Sequence, residues 1–234
     1  MARPLRESPG GLAYHVLNRG AGRQDLFAKD EDYAAFLRAM DQVQARLAVP
    51  VIAFCLMSNH WHLILRPEKD GELSEFMRLL QVTHAQRHHA HHKTAGTGPL
   101  YQGRFKSFPF DGKAYAGTVI RYVERNPLRA GLCRRAENWR WGSAFCRYTK
   151  GAAMPAWLLP ESKWPVRAGE DYRDWLNRPQ TAAEEDAMKV CIQRSRPYGS
   201  EPWVTKIASK LGLESTLRSR GRPRKTPVKM KKGS

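Results

Sequence analysis

His60 and His62 stand two residues apart at the head of an apolar run, in the stretch "MSNHWHLILRP". A strand turns alternate side chains to the same face, so the two imidazoles stand side by side while Trp61, Leu63 and Leu65 point into the opposite layer. Two neighbouring imidazoles can hold a metal ion when a third group arrives from elsewhere in the chain. The stretch "RYVERNP" offers one. Tyr122 and Asn126 are four residues apart, which on a helix places one above the other. The Asn126 carbonyl can serve as an oxygen ligand, and the Tyr122 hydroxyl beside it would point at whatever the metal holds.

These residues need elements to position them. "LAYHVLNRG" alternates apolar and polar residues and ends in Asn-Arg-Gly, which predicts a strand and a turn. "DEDYAAFLRAMDQVQARL" opens with acids and repeats Tyr33, Phe36, Leu37, Met40, Val43 and Leu47 at helical spacing. "VPVIAFCLMS" and "HWHLILRP" form a hairpin turning at Ser58-Asn59. "GELSEFMRLLQVTHAQRHHAHH" predicts a second helix with Phe76, Leu79, Leu80 and Thr83 inward and its histidines on a solvated face. "GRFKSFPFD" is a short fourth strand, placed at an edge by Pro109. "KAYAGTVIRYVERNPLRAGL" is a third helix, ended or kinked at Asn126-Pro127. The order is that of an α+β, ferredoxin-like split βαβ fold: an antiparallel sheet with helices on one face, and a further helix after the last strand.

The chain has 234 residues and a formal net charge of +18. A field of that size favours polyanions, nucleic acid first among them. No run reaches the ~18 apolar residues of a membrane span, and "MARPLRESPGG" is no secretory signal. Four scattered cysteines without a CxxC pair suit reduced thiols in the cytoplasm. The expected organisation is a catalytic domain over 1–150, a mostly helical basic region over 151–214, and a disordered basic tail over 215–234. The tail holds eight Lys/Arg and no acid. Within it, Arg220-Gly221-Arg222-Pro223 resembles an AT-hook core, which makes Arg220, Arg222 and Arg224 candidate DNA contacts; the alternative is a generic basic tail without sequence preference.

The stretches "YHVLNRG", "LMSNHWHLILRP", "YQGRFKSFPF", "RYVERNPLRAGL" and "WRWGSAFCRY", in this order over roughly residues 12–148, resemble the one-tyrosine HUH (His-hydrophobe-His) transposases of bacterial insertion sequences. More narrowly, they resemble the REP-associated tyrosine transposases. The resemblance implies that His60 and His62 bind a metal and that Tyr122 is the nucleophile. It puts Asn126 where many members carry a metal-binding glutamine, which keeps the carbonyl and shortens its reach. It further implies cleavage and rejoining of single-stranded DNA through a 5′-phosphotyrosine, on a short palindrome or hairpin. Tyrosine, with a pKa near 10, attacks a phosphodiester when a divalent cation polarises the phosphate. Only two imidazoles in an oxygen-rich set favour Mg²⁺ or Mn²⁺ over a structural Zn²⁺.

Arg104, Lys106, Arg121 and Arg125 are candidate phosphate contacts, and Tyr115 competes with Tyr122 as nucleophile. The alternative function is a DNA-binding protein that has lost catalysis. RNA binding is a distant third, because the aromatic signature expected on such a sheet is absent. The expected location is cytoplasmic and nucleoid-associated. The sequence leaves monomer or homodimer open.

Overall fold

A computed structural model of the chain describes residues 7–165, 169 and 171–218. Strands β1 (Ala13–Arg19), β2 (Val51–Met57), β3 (His60–Leu65) and β4 (Lys106–Phe110) form one antiparallel sheet in the order β2-β3-β1-β4. Helix α1 (Asp30–Arg46) joins β1 to β2, and α2 (Glu72–His92) joins β3 to β4. This is the split βαβ arrangement read from the sequence. Pro109 lies on the edge strand β4, where its missing N–H is cheapest, and its carbonyl accepts from Tyr198 N. Gly20 closes the turn after β1 for a steric reason. A Cβ there would stand 2.2 Å from the Gln24 carbonyl oxygen.

Alternation along the strands sorts the sheet into two faces. Tyr14, Val16, Trp61, Leu63 and Leu65 pack against α1 and α2 through Phe36, Met40, Phe76 and Leu80. The opposite face carries Ala53, Cys55, Ile64, Phe108 and Phe110. Helix α3 (Ala116–Glu124) lies on it with Val119, Ile120 and Val123. The helix breaks at Arg125 and resumes for one turn as α4 (Asn126–Arg129), with Pro127 at its start. Helix α5 (Ser143–Tyr148) follows. Helices therefore sit on one face for the split βαβ unit itself, and the later helices cover the other. The uniformly buried β2 reflects this double cover.

The C-terminal region contains α6 (Tyr172–Asn177), α7 (Ala182–Arg194) and α8 (Glu201–Lys210). Leu176 of α6 and Met188 and Cys191 of α7 belong to the same core as α3. Bridges join Val51 to Leu158 and Phe110 to Tyr198, so position 150 marks no break in packing. The described chain continues past 215, where the tail was expected to start. Residues Glu214–Thr216 form a 3-10 turn, and Ser215 O accepts from Arg194 Nη2. Arg220, Arg222 and Arg224, with the AT-hook-like segment, lie outside the described residues. No helix among the described residues is long and apolar enough to cross a membrane.

The inward face of α2 is turned slightly from the expected one. Leu73, Phe76, Met77, Leu80 and His84 are buried, and Thr83 is half-buried. His84, read from the sequence as part of a solvated face, is a core residue at 2 % exposure. Trp61 Nε1 donates to Tyr101 OH, which leaves the phenol to donate to His84 Nδ1 at 2.6 Å. That bond requires a neutral imidazole, and burial pushes the His84 pKa down to about 3. The unfolded chain takes up this proton near pH 6.5 and the folded chain does not. The stability is therefore complete above pH 6.5 and is lost as the pH falls toward 3. Urea unfolding midpoints measured across this window should fall on acidification, by about 1 kcal/mol per pH unit for this residue. His84→Gln should flatten the slope.

Candidate active site

β1 and β3 are hydrogen-bonded neighbours with Leu17 opposite His62 and Arg19 opposite His60. The face that points away from α1 and α2 thus carries His15, Arg19, His60 and His62 together. Packing of the apolar side of α3 onto this face brings Tyr122 over the histidines. Its ring meets His15 and His62 edge-on, at centroid distances of 6.1 and 6.2 Å. A cleft of about 510 Å³ opens here, and His60, His62, Tyr122 and Asn126 all line it. The structure brings together the four residues singled out at the start.

The ring nitrogens are already sorted. His62 Nδ1 shares a 2.8 Å hydrogen bond with His15 Nε2, and His60 Nδ1 shares one of 2.7 Å with Asn59 Oδ1. Each histidine thereby keeps its Nε2 for a ligand, and partners of this kind fix the tautomer and ring orientation of metal-binding imidazoles. Burial lowers the His60 pKa to about 4 and that of His62 well below the usual value. Both rings are neutral at neutral pH, the state a ligand requires.

Asn126 is held more tightly than expected. Its Nδ2 donates to Tyr122 O at 3.1 Å, and its Oδ1 accepts from Arg129 Nη2 at 2.6 Å. A carbonyl has two lone pairs, so one remains. The Arg129 guanidinium also lies 4.3 Å from the centre of the Tyr122 ring. Arg19, Arg104, Lys106, Arg129 and Lys189 line the cleft, and among the described residues no Asp or Glu does. Arg104 and Lys106 are exposed there, where phosphate contacts were expected.

Arg121 and Arg125 are not where they were expected. Arg121 is 4 % exposed, donates to the carbonyls of Arg178 and Pro179, and stacks on Trp175. Arg125 is 8 % exposed and donates to Leu176 O. Both guanidiniums fasten the segment around α6 to α3 and are turned into the C-terminal region. They are structural, which corrects the reading of them as phosphate contacts. Tyr115 caps the start of α3, packs on Tyr198, and is not among the residues of the cleft.

Sequence reasoning did not find His15, Arg19, Arg129 or Lys189. Arg129 had a readable signal, since it follows Tyr122 by seven residues and Asn126 by three. His15 and Arg19 share a face by alternation, but the pairing of β1 with β3 was needed to put them beside His62. Lys189 arrives from α7, more than 120 residues along the chain from the histidine pair, with no local signal.

With this geometry in view, the chain can be set beside known proteins. The family model described as "Transposase IS200 like" matches residues 10–126. The chain belongs to that family. It is a transposase, a protein that acts on DNA, and the matched span ends at Asn126 and contains the histidine pair and Tyr122. A solved REP-associated tyrosine transposase bound to a REP hairpin is similar in fold, with a TM-score of 0.52 and 18% identity over 68% of this chain and 91% of that one. A candidate transposase from Deinococcus radiodurans R1 aligns with a TM-score of 0.38 and 19% identity, over 53% of this chain and 97% of that one. No curated protein matches the transposase.

Proposed function

We propose that the transposase cuts and rejoins single-stranded DNA, folded as a hairpin or imperfect palindrome, through a 5′-phosphotyrosine formed on Tyr122. The observation that carries this reading is the placement of Tyr122 over the His60 and His62 pair in a cleft lined by five basic side chains. A protein of similar fold bound to a REP hairpin supports a folded substrate. In this reading the Tyr122 oxygen attacks phosphorus and loses its proton. The bond from phosphorus to the 3′ oxygen breaks, and the 3′ strand leaves as a hydroxyl. A second 3′ hydroxyl reverses the exchange, so no ATP is consumed.

The donor set fits a divalent cation, Mg²⁺ or Mn²⁺, with Nε2 of His60 and His62 and the free lone pair of Asn126 Oδ1 as ligands. When bound, such an ion supplies Lewis-acid polarisation of the scissile phosphate. The chain does the rest. Arg19, Arg104, Lys106 and Lys189 hold the strand by its phosphates. Arg129 fixes Asn126 and braces the Tyr122 ring, and His15 fixes the tautomer of His62. The place of action is the DNA of the nucleoid.

Incubating the protein with labelled genomic hairpins and Mn²⁺, then denaturing, tests the reading directly. A DNA adduct resistant to denaturant is expected, and a chelator should suppress it. His60→Ala or His62→Ala should remove metal-dependent cleavage, whereas Asn126→Ala should be milder because water can replace a neutral amide oxygen. If hairpins bind and no adduct ever forms, the protein is a DNA-binding module without this chemistry.

His15 gives a finer check. His15→Ala leaves His62 Nδ1 buried without its partner and should weaken Mn²⁺ binding by about 10- to 100-fold. Mn²⁺ titration followed by electron paramagnetic resonance measures it, and unchanged affinity would remove His15 from the site.

A further inference from the structure

On the sheet face away from Tyr122, the first turn of α1 meets the last turn of α2. A cavity of about 350 Å³ lies between them, lined by Asp32, His88, His91 and His92 among others. One donor atom from each of Asp32, His91 and His92 lies within 4.8 Å of the other two, the only such group of His, Cys, Asp and Glu among the described residues. His92 Nε2 is 2.9 Å from Asp32 Oδ1. Ligands about 2.0–2.1 Å from a tetrahedral ion stand about 3.4 Å apart, so this spacing needs only small side-chain adjustment.

The carboxylate is prepared for the role. Asp32 Oδ2 accepts from the backbone N–H groups of Ala28 and Lys29, at 2.9 and 3.2 Å, which aims Oδ1 at His92. Burial opposes its charge, yet those two amides and His92 outweigh it and hold the carboxyl below its usual pKa. His88 precedes His92 by one turn with ring centroids 4.3 Å apart, and its Nδ1 is buried without a hydrogen-bond partner. Burial keeps that ring neutral, with a pKa near 4.

We propose that Asp32, His91 and His92 form a second divalent-metal site, of the two-imidazole, one-carboxylate class suited to Zn²⁺, that clips α1 to α2. The cavity beside these three residues is also lined by His88. This site is separate from the His60 and His62 pair in place, and its oxygen donor is a buried carboxylate where that pair has a neutral amide. The clip also fixes the start of a loop. His92 is the last residue of α2, Lys93 caps it in the left-handed conformation, and the chain then runs to Arg104 in the active cleft.

Zn²⁺ titration of the full chain against a chromophoric chelator tests the site, in a His60→Ala, His62→Ala background that removes the other pair. That protein should still take up one Zn²⁺, and Co²⁺ in its place should give the strong visible absorption of a tetrahedral site. Adding His91→Ala and His92→Ala should weaken uptake at least about 100-fold and remove the rise in melting temperature that Zn²⁺ causes. His91 is exposed, so His91→Ala alone serves as the variant that leaves the fold intact, and it too should lose affinity. The proposal is overturned if the background protein takes up no Zn²⁺, or if uptake is unchanged in the His91 and His92 variants. Asp32 and His92 would then be a hydrogen-bonded pair between helices and nothing more. Neither result depends on strand cleavage, so the clip and the phosphotyrosine reading stand or fall separately.

Discussion

Tyr122→Phe is expected to abolish covalent attachment of DNA while leaving hairpin affinity within about 0.5 kcal/mol of the parent, the range of a substitution that disturbs no packing. The ring keeps its edge contacts to His15 and His62 and its position under the Arg129 guanidinium. Only the phenolic oxygen goes, and a phenyl ring has nothing to offer phosphorus. Gel analysis under denaturing conditions reads the adduct, and fluorescence anisotropy on a labelled hairpin reads the binding. An adduct that persists in the variant would move the nucleophile to another residue. A large loss of binding with no adduct would instead mean that the hydroxyl holds DNA in the ground state.

The largest effect on stability is expected from Glu124→Ala. Glu124 lies two residues from Tyr122 on α3 and is 2 % exposed. Its Oε1 accepts from Arg147 Nη1 and Ser143 Oγ, each at 2.6 Å, and its Oε2 accepts from Tyr172 OH at 3.0 Å. One carboxylate therefore ties α3 to α5 and α6. Removing one partner of a buried ion pair leaves the other charge uncompensated and costs about 3–5 kcal/mol. For a chain of this size that is a fall of about 6–20 °C in melting temperature. Burial with the carboxylate opposite pushes the Tyr172 phenol well above its ordinary range, so it is a donor throughout. Glu124→Gln keeps an acceptor for Arg147 and should cost less. Calorimetry on both variants decides the matter, and a cost under about 1 kcal/mol for the alanine would mean that Arg147 is adequately held by the carbonyls of Ile52 and Leu159.

What the sequence determined by itself was everything that repeats locally. A period of two in β1 and β3 and of 3.6 in α1 and α3 gave the order of elements. The same periods put His60 with His62 on one side of a strand, and Tyr122 with Asn126 on one side of a helix. Resemblance to the family then linked these pairs, and the cleft contains all four. Other properties rest on which surfaces meet, and no local period encodes that. Strand β2 is apolar at every position, so it carries no alternation from which to read a doubly covered sheet. Arg121 and Arg125 have the charge of phosphate contacts, yet carbonyls of residues 176–179 claim them, because a buried guanidinium must find acceptors. The histidines of α2 look alike in sequence. Tertiary packing alone decides that His84 enters the core beside Tyr101, while His91 and His92 meet Asp32 from a helix sixty residues earlier.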